Sequence, residues 1–94
     1  MPRVAKKKAA TPKQRVQRGG NALKLLENSV IQEALDSLEN QYIEDWKNTK
    51  NDDTAGRELC YANQRVLQDF KDKLASFVAD ARMATKQLDK EQSL

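Results

Sequence analysis

The sequence predicts an all-α protein: an antiparallel helical hairpin of two long helices, with a short helical segment before them and a disordered basic arm at the N-terminus. Three observations lead to this prediction. Apolar residues recur at spacings of three and four along residues 29–48 and again along residues 57–88. A polar turn separates these two stretches. Runs of β-branched residues with alternating polarity, which are typical of strands, are absent from the sequence.

Residues 1–20 form the predicted arm, and residues 21–94 form the predicted hairpin domain. The arm holds both prolines and two of the three glycines, and apart from Met1 its only sizeable apolar residues are two valines. Such a segment buries too little apolar surface to offset the entropy that is lost on ordering. We therefore expect the arm to be disordered up to a hinge at Gly19-Gly20, with at most a marginal helix after Pro12.

The first long helix is predicted to run from Ser29 to about Asn48. A short helical segment over residues 22–27 precedes it, and we expect a break near residue 28. Ser29 and Gln32 fit an S-x-x-Q capping box, and Asn28 is the alternative cap. The apolar stripe of this helix consists of Ile31, Ala34, Leu35, Leu38, Tyr42 and Trp46.

The second long helix follows a turn at residues 48–53, where Asp52 and Asp53 offer oxygen atoms to the first amides of the helix. Residues 57–88 carry a heptad seam that is apolar at nearly every position, as in a coiled coil. A helix with one such seam needs a partner to lie against. The seam consists of Cys60, Asn63, Leu67, Phe70, Leu74, Phe77, Ala81, Ala84 and Leu88.

The polar and aromatic residues of these stripes have two possible roles each. Asn63 either fixes the register of a coiled coil or lies where the seam is open near the turn. Four aromatic side chains could stack on bases, but their helical spacing favours a place in the core. They are Tyr42, Trp46, Phe70 and Phe77. Tyr61 lies off the seam and is the best candidate for an exposed aromatic contact. Trp46 in particular is expected to be buried beside the start of the second long helix.

The first long helix is too short to cover the far end of the second. We expect the uncovered residues to form the interface of a homo-oligomer, because a helical hairpin of this size is not comfortably stable alone. The sequence leaves the number of chains open. The predicted interface residues are Phe77, Ala81, Ala84 and Leu88.

The net charge of +3 is distributed unevenly along the chain. Residues 1–20 hold seven basic residues and no acidic one, whereas the remaining residues hold ten basic and fourteen acidic ones. A basic arm of this kind favours non-specific electrostatic contact with DNA phosphates, although it could instead be a solubilising terminus. The predicted DNA-binding residues are Arg3, Lys6, Lys7, Lys8, Lys13, Arg15 and Arg18.

No catalytic constellation is visible in the sequence, and we predict neither an enzyme nor a cofactor. The chain has no histidine and a single cysteine, Cys60, which excludes a Cys–His nucleophile and argues against a zinc or haem site. Cys60 is expected to be a buried structural residue. A single cysteine also suits a reducing cytosol. The sequence has neither an apolar run that could span a membrane nor a secretory signal, so we expect a cytoplasmic location.

Three stretches resemble small helical proteins that tailed bacteriophages encode among head and DNA-packaging genes: residues 22–34, 42–49 and 52–58. The likeness covers about residues 21–80. Its specific part is the turn, where Trp46 and a threonine precede an Asp pair and then Gly-Arg-Glu. The general plan is also similar to the oligomerising hairpin of small terminase subunits. Those subunits commonly have a folded helix-turn-helix reader, which the predicted arm cannot form.

The resemblance implies a non-enzymatic role in phage genome packaging, in the cytoplasm of the host cell. Combined with the charge pattern, it predicts an oligomeric DNA-binding protein whose basic arm contacts phosphates. The alternative is a protein-binding module, such as a scaffold or an inhibitor of a host complex, that uses its acidic helical face. The two hypotheses differ in whether the partner is DNA or a phage or host protein.

Overall fold

The structure is a computed structural model and describes residues 9–92. The helices are α1 (Pro12–Glu27), α2 (Ser29–Lys47) and α3 (Thr54–Gln92), and this part of the chain contains no strand. The predicted all-α class is therefore confirmed. The molecule measures 64 × 43 × 18 Å, and its length follows from the 39 residues of α3.

Helix α3 is the element on which both other helices pack. It begins where Asp53 Oδ1 accepts a hydrogen bond of 2.9 Å from Gly56 N, as expected for a carboxylate at a helix N-terminus. Its buried residues are Cys60, Leu74, Ala81 and Ala84, and all of them belong to the seam that the sequence predicts.

Helix α2 runs antiparallel to the N-terminal half of α3, where the amino group of Lys71 lies 3.2 Å from Glu39 Oε2. The predicted break near residue 28 is confirmed, and Asn28 is the cap that the chain uses. Asn28 Oδ1 accepts hydrogen bonds from Val30 N at 2.9 Å and from Ile31 N at 3.1 Å. The capping box expected at Ser29 does not form, because α2 already begins at that residue.

The predicted burial of Trp46 and Phe70 is wrong. Trp46 is 49% exposed and Phe70 is 52% exposed, and no residue of α2 is buried. The reason is that α2 rests on one flank of α3, and among residues 9–92 no third helix covers the other flank at this end of the molecule. Asn63 is half-buried beside this open part of the seam, and Tyr61 is exposed as predicted.

Residues 12–20 are helical, so the disordered arm predicted over residues 1–20 is wrong for this part. Thr11 and Gln14 form a reciprocal capping box, with Gln14 N donating to Thr11 Oγ1 at 3.2 Å and Thr11 N donating to Gln14 Oε1 at 2.9 Å. Gly19-Gly20 lies inside α1 and is not a hinge. Tertiary packing on α3 compensates for the low helix propensity of these glycines. Residues 1–8 of the predicted arm lie outside the described residues.

Helix α1 runs antiparallel to the C-terminal half of α3 and covers the end that the sequence left without a partner. Ala81 is 9% exposed and Ala84 is fully buried within a single chain. Ala81 and Ala84 therefore do not need the second chain that the sequence predicts, whereas self-association through Phe77 and Leu88, which are half-buried, stays a prediction. The physical reason is that α1 spans sixteen residues, whereas the sequence predicted only six helical residues before the break.

Two further observations concern Cys60 and the hydrophobicity of the helices. Cys60 is a buried free thiol, as predicted. None of the helices within residues 9–92 has the length and hydrophobicity that a membrane span requires.

Candidate nucleic-acid interface

The seven predicted DNA-binding residues fall into two groups. Arg3, Lys6, Lys7 and Lys8 lie outside the described residues. Lys13, Arg15 and Arg18 lie on α1, where a spacing of three residues places Arg15 and Arg18 on the same side of the helix. These three residues therefore share a rigid helix, whereas the sequence placed them on a disordered arm.

Arg15 is held by a carboxylate of α3. Its Nε donates a hydrogen bond of 2.9 Å to Asp80 Oδ2, and its Nη2 donates one of 2.6 Å to Asp80 Oδ1. This bidentate pairing matches the planar guanidinium fork to the carboxylate. Gln87 Oε1 accepts a longer bond of 3.4 Å from Arg15 Nη1. Arg15 thus ties the first turn of α1 to α3.

Arg18 joins the same carboxylate, because its Nη2 lies 3.0 Å from Asp80 Oδ2. The guanidinium carbon of Arg18 is also 4.3 Å from the centre of the Phe77 ring, within the range of a cation–π contact. The Arg18 side chain remains 42% exposed, compared with 24% for Arg15. A phosphate could therefore reach Arg18 more readily than Arg15, but in both cases it would compete with Asp80.

The two arginines shift the ionisation of this cluster. The hydrogen bonds from Arg15 lower the pKa of Asp80 below its ordinary value, and the positive charges of Arg15 and Arg18 add to this effect, while partial desolvation opposes it. The hydrogen bond to Asp80 correspondingly raises the pKa of Arg15. Arg15 and Asp80 are therefore both charged at neutral pH, and Asp80 neutralises part of the positive charge that the sequence assigned to DNA.

Other basic side chains at this end of the molecule remain accessible. Lys13 is exposed at the start of α1, and Arg82 and Lys86 are exposed on the part of α3 beside it. None of the three makes an ion pair within residues 9–92. The chain enters α1 at this end, so the basic residues that precede position 9 in the sequence connect to it.

Helix α2 has the opposite charge. It holds five acidic residues and one basic residue, and Glu33 and Asp36 are both exposed. Because α2 packs on the other half of α3, positive charge is concentrated at one end of the molecule and negative charge along the other half. The order of charges along the sequence does not by itself establish this separation. It follows from the packing of α1 and α2 on different halves of α3.

Asp80 was missed by the sequence reading, although it organises the basic end. Because residues 12–20 were predicted to be disordered, the Asp80 carboxylate on α3 had no predicted basic partner. The amphipathic spacing of Val16, Ala22 and Leu26 on α1 is the signal that could have revealed it, because it predicts a helix lying on α3.

A second missed feature is an apolar groove between α2 and α3 with a volume of about 350 Å³. Val66 and Phe70 on its α3 side are 68% and 52% exposed, and Leu38 on its α2 side is 38% exposed. Leu59, one turn from the groove along α3, is 63% exposed. Because the sequence predicts one apolar seam per helix, it assigns Val66 no role and Leu59 only a contact with Trp46.

The described residues offer no metal centre, since no group of three or more His, Cys, Asp or Glu side chains in residues 9–92 is placed to hold an ion. Comparison of the sequence with protein-family models and curated proteins, and of the structure with solved structures, finds no match.

Proposed function

We propose that this chain is a non-enzymatic DNA-binding protein that contacts phosphates through its basic end. The observation that carries the proposal is the separation of charge described above. The N-terminal basic residues lead into α1, whose exposed Lys13 lies at the same end as Arg82 and Lys86 of α3. The acidic helix α2 lies on the other half of α3. Such a distribution attracts a polyanion to one end and orients it away from the other.

The contact would be electrostatic and little dependent on base sequence. Lysine side chains neutralise phosphates as point charges, and contacts to phosphates carry no direct information about base sequence. Arg15 and Arg18 contribute less than the sequence suggests, because Asp80 already pairs with both. The remaining five predicted contacts are Arg3, Lys6, Lys7, Lys8 and Lys13.

A role in genome packaging of a tailed bacteriophage is part of this proposal, but its support is of a different kind. It rests on the resemblance of residues 21–80 to small phage proteins and to small terminase subunits. The charge distribution supports DNA binding alone.

Salt dependence of binding tests the proposal. Fluorescence anisotropy with a labelled duplex should give a slope of about −4 for log affinity against log salt concentration, from about 0.9 per phosphate contact. Replacing Lys6, Lys7 and Lys8 with alanine should reduce the slope by up to about three. A duplex of scrambled sequence should bind equally well.

The matched control removes the same charge from the other half of the molecule. Lys47, Lys50 and Arg65 are exposed, and their replacement by alanine also removes three positive charges. If the control and the Lys6/Lys7/Lys8 variant weaken binding equally, net charge and not the basic end is responsible. A parent protein that ignores duplex DNA at low salt would reject the proposal.

The acidic face of α2 favours a second candidate, a protein-binding module. Glu33, Asp36 and Asn40 line its outward surface, and no residue of α2 is buried. A partner with a basic surface would fit this face. Charge reversal at Glu33 and Asp36 should then abolish partner binding, whereas DNA binding through the basic end should be unchanged or stronger.

A further inference from the structure

The exposed apolar side chains of α3 form one continuous stripe. Leu59, Ala62, Val66 and Phe70 follow each other at spacings of three and four, and all four are exposed. Scattered apolar residues are normal on a protein surface, but a stripe over three helical turns marks an interaction site.

This stripe continues an interface that the molecule already uses. The residues of α3 that face α1 include Leu74, Phe77 and Ala81, and the same spacing leads from Leu74 back to Phe70 and Val66. Helix α1 ends at Glu27 and leaves this stretch uncovered. The stripe therefore offers a surface on which a further helix can pack.

Three residues of the stripe are centred on Val66. Ala62 and Phe70 lie four residues on either side of Val66, and Leu59 lies seven residues before it, opposite Lys73. When two such helices cross antiparallel at Val66, Ala62 of each copy meets Phe70 of the other. A small residue then faces a large one, which is how side chains interdigitate at close helix contacts.

The charges flanking the stripe are also complementary in this arrangement. Glu58 of one copy lies one residue from the position directly opposite Lys73 of the other. Both side chains are exposed, and neither makes an ion pair within the described part of the chain. The stripe is therefore complementary to itself in side-chain size at Ala62 and Phe70 and in charge at Glu58 and Lys73, which favours a second copy of this chain as the partner.

We propose that α3 forms an antiparallel homodimer centred on Val66, through the stripe Leu59, Ala62, Val66 and Phe70. The interface lies on the half of α3 that α1 does not cover. It is therefore separate from the basic end, and its existence does not depend on DNA binding.

Sedimentation equilibrium of the full-length chain tests the dimer. Val66→Glu places two like charges at the centre of the interface, so it should raise the dimer dissociation constant about 30-fold or more, as expected for a central contact. Met83→Glu is the matched control, because Met83 is 66% exposed on the same helix and Val66 is 68% exposed. Both variants should keep the helical content of the parent. A monomeric parent at several hundred micromolar, or equal effects of the two substitutions, would overturn the proposal.

Cysteine cross-linking tests the antiparallel centre, in a background with Cys60→Ala. Val66→Cys places two thiols at the symmetry axis and should form a covalent dimer under mild oxidation. Ala62→Cys places its thiols about eight residues apart along the helices, or about 12 Å, and should not. Cross-linking of both variants, as in a parallel dimer, or of neither would overturn this geometry.

A charge swap tests the register. Glu58→Lys or Lys73→Glu alone should weaken the dimer about threefold, and the two together should restore it, as expected for an exposed ion pair. A double variant that dissociates more readily than either single variant would contradict the Glu58–Lys73 pairing.

Discussion

Gly19 of α1 packs directly against Ala81 of α3. A Cβ atom placed on Gly19 would overlap Ala81 Cβ and would lie 2.7 Å from the carbonyl oxygen of Phe77. The absence of a side chain at Gly19 therefore allows the two helices to approach closely. The next residue, Gly20, has an open surrounding, since nothing lies within 4 Å of an added Cβ.

Gly19→Ala should destabilise the protein by about 2 kcal/mol, because the overlap with Ala81 forces α1 away from α3. Gly20→Ala is the matched control and should stabilise it by about 1 kcal/mol, since alanine is the better helix former and nothing obstructs its methyl group. Urea denaturation followed by circular dichroism measures both changes. A stabilising effect of Gly19→Ala would show that α1 does not lie on α3 as described.

Asp80→Asn should destabilise the protein at neutral pH, because the charged carboxylate holds Arg15 and Arg18. The folded-state pKa of Asp80 is lowered, so this contribution is fully present above the unfolded-state pKa of about 3.9 and is lost as the pH falls through the folded-state value. The urea midpoints of parent and variant should differ at pH 7 and at pH 5, and the difference should shrink as the pH falls below the unfolded-state pKa.

The control for this measurement is Asp69→Asn, since Asp69 is exposed and makes no ion pair within residues 9–92. It should leave the urea midpoint nearly unchanged at every pH. A difference between parent and Asp80→Asn that stays constant as the pH falls below the unfolded-state pKa would mean that the ion pair is not its cause.

Asp80→Asn should also strengthen DNA binding if the basic end is the contact. Arg15 and Arg18 would lose their competing carboxylate, so the slope of log affinity against log salt should steepen by up to about two. Asp69→Asn changes the net charge equally and should have a smaller effect. Equal effects of the two substitutions would show that Arg15 and Arg18 do not reach phosphate.

Trp46→Ala should cost about 1 kcal/mol of unfolding free energy, because the side chain is 49% exposed. Leu74→Ala should cost about 3 kcal/mol, since Leu74 is 8% exposed between α1 and α3. As the chain has one tryptophan, its fluorescence in dilute folded protein should also be quenched readily by acrylamide. A Trp46→Ala cost equal to that of Leu74→Ala would restore the buried position predicted from the sequence.

The sequence predicts the helical class, the break before α2 and the buried part of the α3 seam, because each depends on local patterns. The asparagine cap at residue 28 and the apolar spacing on α3 need no knowledge of the rest of the fold. Tyr61 and Cys60 were placed correctly for the same reason.

Helix α1 could not be predicted with equal ease, because its stability comes from tertiary packing. Two adjacent glycines and four positive charges argue against an isolated helix, yet Gly19 is what permits the contact with Ala81. Once α1 was missed, Ala81 and Ala84 had no partner in the chain, and the predicted oligomer interface followed from that error. Trp46 was misplaced because spacing indicates which face of a helix is apolar, but not how much of that face another helix covers.

Ala84→Glu distinguishes an intramolecular contact from an intermolecular one. Ala84 is fully buried and faces α1, so a glutamate there must either carry an unpaired charge into the contact or push α1 away. The expected loss of unfolding free energy is about 3 kcal/mol or more, as is typical of a buried unpaired charge. Met83→Glu, at the neighbouring exposed position, should cost less than about 0.5 kcal/mol. Thermal melts by circular dichroism, in parallel with sedimentation, separate the two explanations. If Ala84→Glu melts like Met83→Glu and only dissociates an oligomer, Ala84 belongs to an interface between chains and α1 does not cover it.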